Sequence, residues 1–166
     1  MVKTIVKVTG LIILFIALTA ARTTADAEKF AVAAIHAHLY HESTGEINST
    51  DLLDGKNHAL WNTIIGEGEA RKPSNAIWVL VDLVGPSFSN AHGALMLEAA
   101  DGERTLLKQT LSLCDWFNEG NNLVLPFLVY GTGCKKLEIT ATLQGLPNAQ
   151  VKTPTLKKLV LFECGE

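Results

Sequence analysis

The sequence lacks the short motifs by which catalytic and nucleotide-binding chains usually declare themselves. It has no Gly-x-Ser-x-Gly turn, no His-Glu-x-x-His pair and no glycine-rich loop opening a helix. Their absence removes the common serine-hydrolase, zinc-protease and phosphate-cradling sites and implies no cofactor. Basic charge is also scarce: 14 Lys and Arg stand against 17 Asp and Glu. The doublets Arg71-Lys72, Lys135-Lys136 and Lys157-Lys158 are scattered, whereas a nucleic-acid binder concentrates cations on one face to neutralise phosphates. No apolar run reaches the roughly 20 residues of a membrane span, and there is no internal repeat or low-complexity tract.

The N-terminus has the three parts of a secretory signal. Lys3 and Lys7 supply the positive region, Gly10 to Ala21 (GLIILFIALTAA) the short apolar region, and Ala25-Asp26-Ala27 the small-x-small cleavage pattern. Residues 1–27 are therefore expected to be a signal peptide, with Glu28 as the mature N-terminus; cleavage after Ala21 is the second choice. They hold Lys3, Lys7 and Arg22 against Asp26. Taking 3 from 14 basic and 1 from 17 acidic groups leaves residues 28–166 with a net charge of −5. No cysteine closes the apolar region, and LVLFECGE has no detachable hydrophobic tail. The expected destination is periplasmic or extracellular, with no stable membrane anchor after cleavage.

Beyond the signal, the punctuation is that of short strands. Phe30 to His41 alternates tolerably, with Phe30, Val32, Ala34, His36, His38 and Tyr40 on one face, but its alanines leave a helix open. Ala76 to Val84 is a near-continuous apolar strand ended by Gly85-Pro86. Ala94 to Ala99 and Arg104 to Leu113 flank Ala100-Asp101-Gly102-Glu103, a hairpin signal in which Asp-Gly suits a type I′ turn. Leu123 to Tyr130 carries Pro126, which argues for an edge or a bulge. Leu137 to Leu143 and Leu156 to Phe162 complete the set. Seven to eight strands without a long amphipathic helix predict one all-β domain over residues 28–166, an antiparallel β-sandwich. In strand count and spacing it resembles immunoglobulin-like and fibronectin-III-like sandwiches, although the antibody-type Cys…Trp…Cys spacing is missing. The phrase ALWNTIIGEGEARKPSN resembles segments of small exported bacterial proteins, a likeness that brings no activity with it.

Three cysteines allow three single bridges. If Leu137–Leu143 and Leu156–Phe162 pair antiparallel with Cys134 opposite Cys164, Leu137 meets Leu161 and Ile139 meets Leu159 on one apolar face. This register predicts a Cys134–Cys164 disulfide, closing a loop of about 30 residues and stabilising by roughly 2–4 kcal/mol. Cys114 is then unpaired and reads as a buried small hydrophobe.

Few residues have ligand chemistry. On a strand, His36 and His38 point to one face and could share Cu²⁺ or Zn²⁺ through neutral imidazoles, with His92 as a third ligand and Met96 a soft fourth. The plainer reading is two surface histidines on an edge strand. Asp51, Asp54, Glu67 and Glu69 lie in long loops without an EF-hand pattern. Trp116 and Phe117, beside Asp115 and Asn118 to Asn122, are candidates for an exposed aromatic patch, while Trp78, embedded in an apolar strand, reads as core. Together these imply a non-enzymatic binding module that presents loops at one end of a sandwich to a protein or glycan partner outside the cytoplasm. Glu67, Glu69, Trp116 and Phe117 are its expected contact residues. The alternative is an exported copper or zinc protein using His36, His38 and His92.

Overall fold

A computed structural model describes residues 29–56, 74–86, 92–113, 121–133, 135–146 and 151–162. Residues 1–27, expected to be a signal peptide, all three cysteines, Glu67, Glu69, Trp116 and Phe117 lie outside the described residues.

The strands are β1 (Phe30–His41), β2 (Glu46–Ile47), β3 (Ala76–Val84), β4 (Ala94–Asp101), β5 (Arg104–Ser112), β6 (Asn122–Tyr130), β7 (Leu137–Gln144), β8 (Val151–Thr153) and β9 (Thr155–Val160). They form two packed sheets, and no helix occurs among the described residues. The first sheet runs β2-β1-β3-β6 with β8 also on β1; the second runs β5-β4-β7-β9. All pairings are antiparallel except β1 with β8. One apolar core fills the space between the sheets, where Leu39, Ile77, Val79 and Leu125 meet Leu95, Leu97, Leu137 and Ile139. Each of these eight side chains is at most 1% exposed. Full burial of one such side chain stabilises by about 1.5–3 kcal/mol.

β1 resolves its strand-or-helix ambiguity as a strand because β3 pairs with it along nearly its whole length; tertiary pairing overrides the helical preference of its alanines. Its faces differ from the expected ones. The register shifts between Val32 and Ala34, a bulge that leaves Ala33 exposed. Phe30 and Val32 therefore point into the core together with Ile35, Ala37 and Leu39, while His36, His38 and Tyr40 point out.

The second edge of β1 is completed piecewise. β2 pairs Tyr40 and His41, and β8 pairs Phe30 and Ala31. Between them the 48–53 segment supplies the hydrogen bonds. Leu52 N–H donates to Ala37 O at 2.8 Å, and Ala37 N–H donates to Asp51 Oδ1 at 3.0 Å. β8 and β9 are nearly continuous, and the chain changes sheets at Pro154, whose carbonyl accepts Leu143 N–H at 2.7 Å. The short strands β2 and β8 were not evident in the sequence, whereas β9 falls on the expected Leu156–Phe162 strand.

Pro126 lies in β6, at the free edge of its sheet and within an unbroken ladder to β3; the edge placement tolerates its missing N–H. The β4–β5 hairpin is confirmed, but its turn falls one residue late. Asp101 pairs with Arg104, so Gly102 and Glu103 form the turn, and Gly102 takes φ 77°. Asp101 thereby becomes a buried strand residue held by Arg104 at 2.7 Å, and the guanidinium keeps its carboxyl below the usual range. The same guanidinium donates to Gly131 O at 3.0 Å, tying the hairpin to the turn after β6 in the other sheet.

The β7–β9 register is a third correction. Leu137 faces Val160, Glu138 faces Leu159 and Ile139 faces Lys158, one residue away from the expected pairing. Val160 and Phe162 are buried, while Leu159 and Leu161 are nearly half exposed. A one-residue slip exchanges every side chain between the faces of a strand. The support that the expected register lent to Cys134–Cys164 is withdrawn, and cysteine count and the expected compartment leave all three single bridges open.

Candidate functional site

The outer faces of the two sheets have opposite chemistry. On the β5-β4-β7-β9 sheet, polar side chains pair across strands: Lys108 with Glu98 at 3.1 Å, Lys157 with Glu138 at 2.6 Å, and Thr155 with Thr142 at 3.4 Å. This is the ordinary solvated side of an antiparallel sheet.

The outer face of β1-β3-β6 is mostly apolar. Its register sets four rows across the three strands: Tyr40–Ala76–Tyr130, His38–Trp78–Leu128, His36–Leu80–Pro126 and Ala34–Asp82–Val124. Trp78, expected in the core, is half-buried on this face because its inward neighbours are Ile77 and Val79. Its ring lies 6.2 Å from that of Tyr40, tilted by 43°, within the range of favourable aromatic pairs. Tyr130 and Val124 are 52% and 51% exposed. The period of two that drives Val79, Val81 and Leu83 inward obliges Trp78, Leu80 and Val84 to point outward.

One polar constellation is embedded in these rows. His36 Nδ1 lies 2.7 Å from Asp51 Oδ2, and its Nε2 lies 3.3 Å from Asp82 Oδ2. Both partners are carboxylate oxygens, so an imidazolium that donates from both nitrogens satisfies the geometry. The hydrogen bond to Asp51 raises the His36 pKa above its ordinary value, against the opposing effect of burial; both carboxylate charges add to the rise. For Asp51 burial acts upward, but the N–H groups of Ala37 and Leu53 and the His36 ring outweigh it and hold the carboxyl below its usual value. Asp51 thus does two things. It supplies an acceptor where β1 lacks a full-length partner strand, and it neutralises a histidine on the outer face.

His36 and His38 share a face, as the strand period requires. They are not presented alike. His38 Nδ1 donates to Asn48 O and Thr50 O, at 3.1 and 3.0 Å. His92 is exposed and precedes β4 in the other sheet, and His41 is buried on the core side of β1. Met96 lies on the outer face of that other sheet, where its sulfur accepts from Gln144 Nε2 at 3.5 Å. Among the described residues, no group of three or more His, Cys, Asp or Glu side chains is arranged to hold a metal ion. Asp51 and Asp54 fall in the 48–56 segment, where Asp54 pairs with Lys56 at 3.3 Å.

The partnership of His36 with Asp82 was missed in the sequence, although Asp82 is the one charged residue of β3. A lone carboxylate in an apolar strand is the signal that could have found it. No protein-family model matches this chain, and comparison with curated proteins returns no match.

Proposed function

We propose that the chain is an exported, non-enzymatic binding module that recognises a protein partner through the outer face of β1-β3-β6. One observation carries the reading. Of the two outer faces on one sandwich, one is mainly polar and cross-paired, with Leu159 and Leu161 exposed at its β9 edge, while the other displays Tyr40, Trp78, Leu80, Val124, Leu128 and Tyr130 in register. Apolar surface of this kind, exposed at Val124 and Tyr130 and half-buried at Tyr40, Trp78, Leu80 and Leu128, marks interaction sites, and Trp and Tyr are the residues on which interface energy concentrates. Leu80, Val124, Pro126 and Leu128 offer no hydrogen bonds, which favours a protein over a glycan. The surface differs from the loop-end site expected from sequence.

Topology supports the same class. Counting only the seven long strands, the sheets run 1-2-5 and 4-3-6-7, an order we read as that of a fibronectin-III-like sandwich, with the fourth strand beside the third. Such scaffolds commonly serve as extracellular recognition domains. The signal read in residues 1–27 supports export and hence a partner outside the cytoplasm.

The test compares two double variants of the full chain in its native host. Val124→Ser/Tyr130→Ser alters the apolar face, and Thr110→Ala/Lys108→Ala alters the polar one. Loss of the same co-purifying protein from the first variant alone is expected. Equal retention by both variants would overturn the proposal.

A further inference from the structure

We infer that this face takes a short apolar protein segment bearing an arginine or lysine that pairs with Asp82. The inference rests on the binding reading above and adds the chemistry of the partner.

Charge is the first argument. β1, β3 and β6 contain no Lys or Arg, and Asp82 is their one acidic residue. Its side chain is 37% exposed, in a row between Ala34 and Val124. Elsewhere the carboxylates of Asp54, Glu98, Asp101 and Glu138 each meet a lysine or arginine of this chain. Among the described residues Asp82 meets only His36, at 3.3 Å, and that ring is held more closely by Asp51 at 2.7 Å. A carboxylate set among apolar rows, with its histidine committed to another acid, is complementary to a cation arriving from outside. Charge pairs of this kind fix register and select partners.

Area is the second argument. The four rows, Ala76 to Asp82, extend about 20 Å along β3 and about 14 Å across three strands, a footprint on the order of 300 Å² at ~3.3 Å per residue and ~4.8 Å per strand. One side of a standard protein interface buries about 800 Å². The face is therefore too small for a stable dimer of this chain and suits a single helix or extended segment laid over Trp78 and Leu80.

The experiment selects a random phage-displayed peptide library against the full chain and measures affinities of the enriched peptides for four variants. Asp82→Asn removes the charge. Val124→Lys places an ammonium directly opposite Asp82 on the neighbouring strand. Tyr130→Ala trims the apolar face at an exposed site, and Thr110→Ala is the control on the polar face. Enriched peptides are expected to combine aromatic or aliphatic residues with Arg or Lys. They should bind Asp82→Asn and Val124→Lys at least about tenfold more weakly and Thr110→Ala unchanged, with circular dichroism confirming the fold of each variant. Peptides that lack a basic residue, or that bind Asp82→Asn as tightly as the parent, overturn the inference. If Tyr130→Ala still weakens them, the binding face survives without its cation. If Tyr130→Ala is also silent, the face itself is refuted. Concentration-dependent dimerisation abolished by Tyr130→Ala would overturn the inference in favour of self-association.

Discussion

Replacing Asp51 separates its two roles, and the structure sets the size of each. In Asp51→Asn one side-chain oxygen remains to accept from Ala37 and Leu53, both now at 3.0 Å from Oδ1. The amide nitrogen, however, turns a donor toward His36 Nδ1, where a 2.7 Å charge-assisted bond stood. Hydrogen bonds to charged groups contribute about 1.5–3 kcal/mol; because His36 is 39% exposed, solvent screening reduces this to roughly 1–2 kcal/mol. Asp51→Ala also strands the N–H of Ala37, a residue with 0% exposure. An unsatisfied buried donor costs a further 1–3 kcal/mol or so, for a total of about 3 kcal/mol. Urea unfolding with an unchanged m-value reads both differences.

The pH dependence fixes the cause. His36 has a folded-state pKa above its ordinary 6.5. Its contribution is fully present below pH 6.5 and is lost as pH rises through the folded value. Asp51 lies below its ordinary 3.8, so its contribution is present above pH 3.8 and is lost as pH falls through the folded value. The pair thus stabilises most between these limits. Asp51→Asn should flatten the decline on the alkaline side of pH 6.5. A parent and an Asp51→Asn variant with parallel stability curves from pH 6 to 9 would refute the coupling.

Other predictions follow from particular contacts. The observed β7–β9 register makes Val160→Ala costly, by about 1–2.5 kcal/mol, and leaves Leu159→Thr within about 0.5 kcal/mol; thermal unfolding that reversed this order would restore the register expected from sequence. Titration of the full chain with Zn²⁺ or Cu²⁺ should show no submicromolar site that His36→Ala/His38→Ala removes, because both His36 nitrogens already face carboxylates; such a site would revive the metal reading. If the chain is exported as its N-terminus implies, non-reducing peptide mapping is expected to recover one disulfide among Cys114, Cys134 and Cys164, and three free thiols would reject that compartment.

Much of the ladder was legible because period-two alternation and turn residues are local signals. Ala76–Val84 is bounded as the sequence reads it, since Gly85-Pro86 stops it and its apolar run needs no partner to be recognised. What failed depended on pairing. The bulge at Ala33 lies among Ala31, Val32 and Ala34, small apolar residues that carry no phase, so the inward turn of Phe30 and Val32 had no local mark. β9 offers apolar residues on both faces, Val160 inward and Leu159 outward, so two registers looked equally sound. The site was hidden for a related reason. Because Trp78 and Leu80 make β3 apolar on both sides, the strand read as wholly buried, and its outer face becomes visible only once the second sheet is assigned to the other side. His36 and His38 were found as a same-face pair, but Asp51 and Asp82 reach His36 across 15 and 46 residues of chain, distances that no spacing motif spans.

Site-specific photo-crosslinking in the producing cell addresses the binding face most directly. A photoreactive residue at position 124, on the apolar outer face, is predicted to yield a discrete protein adduct, and the same residue at position 110, on the polar outer face, none. Adducts of equal yield and identity from both positions, or an adduct from position 110 alone, would contradict the assignment of the β1-β3-β6 face as the recognition surface.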